Sequence, residues 1–311
     1  MPNILNRFTP MNTAEVLDKA VEVYKKSFLK QLAFSAIVGV IGFVLMIITG
    51  IVLAIILVVN NTNASVADYN VLGMINFAFI FVLLLAVPIL LIWQSVYSAG
   101  HIMLAKQAFY GEEVWLTVRE LPRTALRVLS VIVAQFLVSI PFLGAGILGI
   151  VAFFAMDIVV VETAVIFIVI AVVVLMIGYF IFTNIFALSI AVAVYEKQYF
   201  IGAIIRSWHL IKGEFWKIFG IRMVWAIAVL VVGYAAQGLL NLATMLGGFV
   251  DSVVAGMVIV MVFSMISGFV SIILTFATMP LEGIMQATLY FNQRIKREGL
   301  DIEAAIERLE S

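Results

Sequence analysis

Six long apolar runs constrain this fold more than any other feature of the sequence. They cover about residues 31–59, 72–108, 126–155, 164–195, 218–245 and 253–290. Each exceeds the ~20 residues that a helix needs to cross a hydrocarbon core of ~30 Å. Hydrophobic residues make up 65% of the chain and charged residues only 12%, unlike the composition of soluble domains. The sequence therefore predicts an all-α, polytopic integral membrane protein with six transmembrane helices in a single membrane domain, residues 1–311.

Basic residues are confined to alternate polar segments. All 18 Lys and Arg residues lie before the first run, in or beside the second and fourth connections, or in the C-terminal tail. The first, third and fifth connections carry only acids, which are Asp68, Asp157, Glu162 and Asp251. Because cytoplasmic loops are enriched in Lys and Arg, we expect both termini on the cytoplasmic side of the cytoplasmic (inner) membrane.

The second and sixth runs are longer than the hydrocarbon core is thick. At ~1.5 Å per residue each would reach ~55 Å, nearly twice that thickness. Pro88 and Pro280 lie where a bend or break would fall, because proline removes a backbone hydrogen bond and clashes with the preceding turn. Helix tilt is the alternative explanation.

Three basic segments share an amphipathic spacing, which indicates interfacial helices on the cytoplasmic side. Their stripes are Leu17, Ala20, Val21, Tyr24 and Phe28; Val114, Thr117, Val118, Leu121 and Ala125; and Phe200, Ala203, Ile204, Ser207 and Ile211. Asn12 and Glu15 have the spacing of a helix cap for the first of them.

The chain also shows signs of a threefold repeat. K-x-x-F-x-K occurs twice before a span, in "KKSFLK" and "KGEFWK". We therefore predict three units, at about residues 10–110, 111–195 and 196–311, each an interfacial helix followed by a transmembrane hairpin. Convergence is the alternative, because amphipathic helices are common before membrane spans.

Polar side chains near the ends of the second and sixth spans suggest a site. The stripe in the last span consists of Glu282, Gln286, Tyr290 and Gln293. One face of the second span carries Gln94, Tyr97 and His101. An ionisable group at membrane depth indicates a functional site. We therefore hypothesise a polar cavity between these helices that is open to the cytoplasm. The alternative places Glu282 at the interface, solvated or paired with a base, with the aromatic residues as anchors.

Lysines in the interfacial segments are candidates for contact with lipid headgroups. The candidates are Lys25, Lys26, Lys30, Lys212 and Lys217. Each Lys near an anionic leaflet contributes roughly 1 kcal/mol of attraction. We therefore expect membrane lipids as partners, together with a homo-oligomer or another membrane protein. The formal net charge of zero gives no reason to expect nucleic acid.

The stretch "FLGAGILGI", residues 142–150, contains the spacing G-x-G-x-x-G. A dinucleotide site requires a strand that runs into a glycine turn opening a helix, but these glycines lie inside the third apolar run, away from basic residues. We interpret Ala145, Gly146 and Gly149 as a small-residue surface that lets a neighbouring helix approach closely.

No catalytic pattern is recognisable. The chain has no cysteine, and its two histidines, His101 and His209, lack metal-ligand spacing. No Ser-His-Asp order or paired-carboxylate site emerges, so an intramembrane hydrolase lacks its nucleophile or metal. We expect no cofactor, no metal and no enzymatic activity.

Three stretches carry a resemblance to a known family: "FTPMNTAEVLDKAVEVYKKSFLKQL", "AIIRSWHLIKGEFWKIFGI" and "LYFNQRIKREGLDIE". The chain resembles a prokaryotic six-span family, the membrane domain fused to glycerophosphoryl diester phosphodiesterases and its stand-alone relatives. In the fused proteins catalysis belongs to a TIM barrel of ~250 residues, for which no segment here has room. The resemblance therefore implies architecture without the hydrolase activity.

The leading hypothesis is a non-enzymatic integral membrane protein that assists transport, or lipid and envelope processes. The alternative is a transporter or channel with a polar cavity around Glu282 and His101.

Overall fold

The computed structural model describes residues 10–62, 71–115, 119–155, 173–175, 177–179, 181–245 and 253–299. Within these ranges the chain consists of helices and short turns, without strands. The helices are α1 (Thr13–Thr62), α2 (Val71–Tyr110), α3 (Leu121–Ala155), α4 (Ser189–Tyr195), α5 (Phe200–Ile211), α6 (Phe215–Met245), α7 (Val253–Thr278) and α8 (Pro280–Glu298).

Six helical segments are long and apolar enough to cross a membrane. They are Thr13–Val52, Ala86–Tyr110, Leu121–Ile140, Val173–Tyr195, Phe215–Ala235 and Val254–Glu298. Large apolar side chains stay exposed along them, for example Phe43 on α1 and Phe269 on α7. Such a surface is stable against hydrocarbon and not against water. The prediction of an all-α polytopic membrane protein is confirmed.

Helix α1 begins with the predicted cap and continues without a break into the first span. The Asn12 Oδ1 accepts a hydrogen bond from the Glu15 N–H at 3.0 Å, and the Glu15 carboxylate accepts one from the Asn12 N–H at 2.7 Å. The predicted apolar stripe is displaced, because Val21 and Phe28 are exposed. The buried side is instead formed by Val16, Ala20, Val23, Ser27 and Gln31. Burial of the two polar residues is possible because their side chains are hydrogen-bonded.

The predicted interfacial helix over residues 114–125 is wrong. Helix α2 ends at Tyr110, and Gly111 directly after it has a φ of 73°, which suits the left-handed residue that follows a helix. Residues 112–115 are not helical, residues 116–118 lie outside the described part, and α3 begins only at Leu121. Pro122 accounts for that start, because proline is favoured in the first turn of a helix and restricts the residue before it.

The predicted helix in the fourth connection is confirmed as α5, with Ala203, Ser207 and Ile211 of its stripe buried. The sixth apolar run is broken where Pro280 predicts it, since α7 ends at Thr278 and α8 begins at Pro280. Pro88, in contrast, lies inside the continuous helix α2.

The packed core lies at the end of the bundle that carries the basic segments. Helix α8 is central to it and contacts α1, α2, α4, α5, α6 and α7. Ile284, Met285, Leu289 and Tyr290 of α8 are fully buried. The Phe291 ring stacks on Phe109 of α2, with centroids 4.7 Å apart. The last part of the sixth apolar run therefore organises the basic end of the protein.

Some predictions about the fold stay untested. The threefold repeat remains a prediction from the sequence. The packing surface at Ala145, Gly146 and Gly149 concerns a part of α3 whose side-chain environment lies outside the described residues.

Candidate functional site

His101 lies at the centre of a buried polar cluster between α1 and α2. Its Nδ1 faces the Gln31 Oε1, and its Nε2 lies 3.2 Å from the Ser35 hydroxyl oxygen. The Gln31 amide nitrogen also donates to the His101 carbonyl at 3.2 Å. Gln31 and Ser35 are fully buried, and His101 is 1% exposed. The cluster ties the two helices together through side chains that the sequence alone did not pair.

These hydrogen bonds indicate which nitrogen of His101 carries the proton. The Gln31 amide nitrogen is used as a donor to a carbonyl, so the amide oxygen must face Nδ1. An amide oxygen only accepts, which places the hydrogen on Nδ1. Nε2 is then free to accept from the Ser35 hydroxyl. The arrangement fits the neutral imidazole.

Aromatic rings enclose the same histidine. Phe34 packs edge-on against it at 5.0 Å between centroids, and Tyr97 does so at 4.3 Å. The Phe34 ring fits because Gly100 leaves space: a Cβ there would lie 2.1 Å from the ring. Gly283 of α8 closes the other side, since its Cβ would lie 3.2 Å from that of His101. A base held in this way is shielded from solutes.

The other two predicted residues of α2 have different surroundings. Tyr97 is buried and stacks on Trp93 at 5.7 Å between centroids. The Trp93 indole N–H donates to the Val38 carbonyl of α1 at 2.9 Å. Gln94 is exposed, and its amide lies 3.4 Å from the Ser98 hydroxyl.

Glu282 lies at the start of α8 and faces α6. Its carboxylate accepts a hydrogen bond from the Arg222 guanidinium at 2.9 Å, and the Gln286 amide also donates to it at 3.1 Å. Arg222 donates in addition to the Asn184 amide oxygen at 2.9 Å. The guanidinium therefore joins the fourth, fifth and sixth apolar segments, and the Glu282 side chain remains 52% exposed.

Tyr290 belongs to an ionic network further along α8. Its hydroxyl donates to the Glu196 carboxylate at 2.9 Å, and Arg206 of α5 pairs with the same carboxylate at 2.8 Å. Arg206 also pairs with Glu298, which accepts from Arg294 at 2.8 Å. The hydrogen bond to Glu196 raises the pKa of the Arg206 guanidinium above its usual value.

The end of α8 clamps the turn between α5 and α6. Gln293 and Lys296 both donate to the Glu214 carboxylate at 3.1 Å. Arg297 donates to the carbonyls of His209 and Lys212, which end α5, where a cation is favourable. Burial acts to raise the pKa of the Glu214 carboxyl, but the hydrogen bonds from Gln293 and Lys296 outweigh it and hold that pKa below its usual value.

The structure thus places the predicted cavity residues on neighbouring helices but points their side chains apart. His101 faces Gln31 and Ser35 of α1, while Glu282 faces Arg222 of α6. The polar stripe of α8 instead has charged partners on the facing elements, which are Arg222, Glu196 and Glu214.

The candidate headgroup lysines Lys25, Lys26, Lys30, Lys212 and Lys217 are all exposed. Lys26 pairs with Glu22 one turn away. The Lys30 ammonium lies 4.2 Å from the centre of the Trp115 ring. Their charges are therefore accessible at the basic end of the protein.

Sequence reasoning missed Gln31, Ser35 and Arg222. The i, i+4 spacing of Gln31 and Ser35 was the available signal for a polar face on α1, and Arg222 is a charge just inside the fifth apolar run. Polar groups in such runs require partners, but a single sequence does not say which helices meet.

Comparisons of the chain with protein-family models, with curated proteins and with solved structures found no match. The resemblance to the membrane domain of glycerophosphoryl diester phosphodiesterases therefore stays a prediction from the sequence. Function has to be argued from the geometry of the chain itself.

Proposed function

We propose that this chain is a non-enzymatic protein of the cytoplasmic membrane that engages anionic lipid headgroups at its basic end, as an accessory to lipid, envelope or transport processes. The observation that carries the proposal is the exposure of all five candidate lysines, which lie in the N-terminal part of α1 and around the start of α6. The positive-inside pattern places these lysines at the cytoplasmic leaflet, which is rich in anionic lipid.

The packing of the basic end supports the same function. Helix α8 is bonded to the turn between α5 and α6 through Glu214, and to the start of the first helix through Asn292, which accepts from the Met11 N–H at 2.8 Å. The segments that carry these lysines, although far apart in sequence, are thereby packed against the same helix, α8. Cations on packed helices bind a charged surface at a smaller entropic cost than cations on a mobile segment do.

The rival hypothesis of a transporter or channel requires a shared polar cavity around Glu282 and His101. His101 is enclosed by Phe34, Tyr97, Gln31 and Ser35, whereas Glu282 is exposed and paired with Arg222. This geometry favours lipid contact over a polar pathway through the two residues.

Boundary-lipid selectivity tests the proposal. The protein is reconstituted with spin-labelled phosphatidylglycerol or phosphatidylcholine, and the motionally restricted fraction of each lipid is compared. We expect the wild type to prefer phosphatidylglycerol and the variant with Lys25, Lys26, Lys212 and Lys217 changed to Gln to lose most of that preference, because each Lys contributes about 1 kcal/mol of attraction to an anionic leaflet. The matched Lys→Arg variant should retain the preference. Unchanged selectivity of the Gln variant would contradict the proposal.

A further inference from the structure

An apolar groove of about 900 Å³ opens on the side of the bundle. Its floor is the face of α1 from Gly39 to Gly50, and its walls are residues of α2 up to Trp93 and of α7 from Ser271 onward. All three elements lie in segments long and apolar enough to span a membrane. The groove begins nine residues after Lys30, the last cation before the first span. Hydrocarbon is therefore the medium that it faces.

Glycines and large rings shape the narrow end of the groove. A Cβ at Gly39 would lie 2.3 Å from the Phe276 ring, and one at Gly42 would lie 2.5 Å from the Trp93 ring. These rings lie directly against the α1 backbone and close the groove towards the basic end. At Gly50 no described residue lies within 4 Å of a Cβ, so the distal end is open in the part of the protein that the structure describes.

The polar side chains on the groove walls are already hydrogen-bonded within the protein. Thr49 donates to the Leu45 carbonyl at 2.9 Å, and Thr275 donates to the Ser271 carbonyl at 2.8 Å. Ser271 lies 2.7 Å from both the Ser267 carbonyl and the Gln237 amide oxygen, and the Trp93 indole is bonded to Val38. The described wall residues therefore offer contact to methylene groups and no free side-chain donor for a polar ligand.

The length of the groove identifies its occupant. The α1 floor from Gly39 to Gly50 extends ~16 Å at ~1.5 Å per residue. One leaflet contributes ~15 Å, half of a hydrocarbon core of ~30 Å. We propose that this groove is a binding site for one acyl chain of a membrane phospholipid, lying parallel to α1. The site goes beyond the proposed headgroup contact, because its walls recognise the chain and not the headgroup.

Photo-crosslinking tests this site. The purified protein is reconstituted in phosphatidylethanolamine and phosphatidylglycerol vesicles that contain a trace of phosphatidylcholine with a diazirine in its acyl chain. After illumination, adducts are located by proteolysis and mass spectrometry. We expect them to concentrate on the α1 floor and on the α7 wall around Ile272, and to fall several-fold in Gly50→Phe, which fills the open end. Gly233→Phe is the matched control, since Gly233 of α6 is also unhindered and lies off the groove.

Ile272→Trp narrows the groove from the α7 wall and provides a second variant should Gly50→Phe fail to fold. Adducts unchanged in folded groove variants, or spread evenly over the lipid-facing helices, would overturn the proposal. Crosslinks between two copies of α1 at the groove would also overturn it, since they would make a second protein chain the occupant. Neutralising the four lysines should leave the groove adducts intact, so the two proposals can fail separately.

Discussion

Gln31 and His101, 70 positions apart in the chain, bind each other through both ends of one side-chain amide. The amide nitrogen donates to the His101 carbonyl, and the amide oxygen accepts from Nδ1 of the ring. Two helices with largely apolar surfaces are fixed in register by this contact, because a shift of either helix would leave buried polar atoms unpaired.

We expect Gln31→Leu to lower the free energy of unfolding by about 1–3 kcal/mol, since the buried Nδ1–H loses its acceptor. Thermal unfolding in detergent measures the change. Gln94→Leu is the control, because Gln94 is exposed, and surface changes usually stay within about 0.5 kcal/mol. Equal effects of the two variants would show that the His101 cluster does not hold the helices together.

Gly100→Ala should destabilise the protein by about 1–3 kcal/mol, because the added Cβ collides with the Phe34 ring and forces the packed helices apart. The same change at Gly220 of α6, where no residue within the described ranges lies within 4 Å of an added Cβ, should be neutral or stabilising by up to about 1 kcal/mol. Unfolding temperatures of the two variants provide the measurement. A stabilising Gly100→Ala would contradict the close approach of α1 and α2.

The membrane-spanning helices were predictable because their signal is local. The apolar runs are longer than a hydrocarbon core requires, and Asn12 with Glu15 and Pro280 fix a cap and a break through neighbouring backbone atoms. The predicted helix over residues 114–125 is wrong, because Gly111 and Pro122 govern the backbone there more strongly than amphipathic spacing does.

The contacts of the candidate site could not be predicted, because they join residues far apart in the chain. The stripe Glu282, Gln286, Tyr290 and Gln293 was visible, but nothing in its spacing indicates Arg222, Glu196 or Glu214 as partners. Likewise, the buried face of α1 contains Ser27 and Gln31, which hydrophobic periodicity excludes. A pattern of apolar positions therefore does not predict burial of polar residues whose side chains are hydrogen-bonded.

Glu282→Gln should change stability by less than about 1 kcal/mol, because half-exposed ion pairs contribute little. Arg222→Ala should cost about 1–3 kcal/mol, since it removes the hydrogen bond of the less exposed guanidinium to the buried Asn184 as well as the ion pair with Glu282. Chemical or thermal unfolding in detergent compares them. A larger effect of Glu282→Gln would restore Glu282 as a central residue.

The stabilisation from the hydrogen bonds of Gln293 and Lys296 to the Glu214 carboxylate should be lost in acid. Because its pKa in the folded protein lies below the usual value of 4.5, Glu214 stabilises the protein above that pH, and the contribution is lost as pH falls through the folded pKa. We expect the unfolding temperature of the wild type to fall more steeply than that of Glu214→Gln between about pH 6 and pH 3. Glu120→Gln, an exposed carboxylate before α3, should follow the wild type. If the unfolding temperatures of all three proteins fell in parallel with pH, Glu214 would not stabilise the contact between α8 and this turn.

We propose that the basic, packed end of this six-span membrane protein faces the cytoplasm. The chain has no cysteine, so single cysteines can be placed at Lys25, Lys212 and, in the predicted fifth connection, Asp251. A membrane-impermeant maleimide added to intact bacterial cells that express each variant gives the direct measurement. We expect labelling of Asp251→Cys in intact cells, and of Lys25→Cys and Lys212→Cys only after the membrane is permeabilised. Labelling of Lys25→Cys or Lys212→Cys in intact cells would contradict the account.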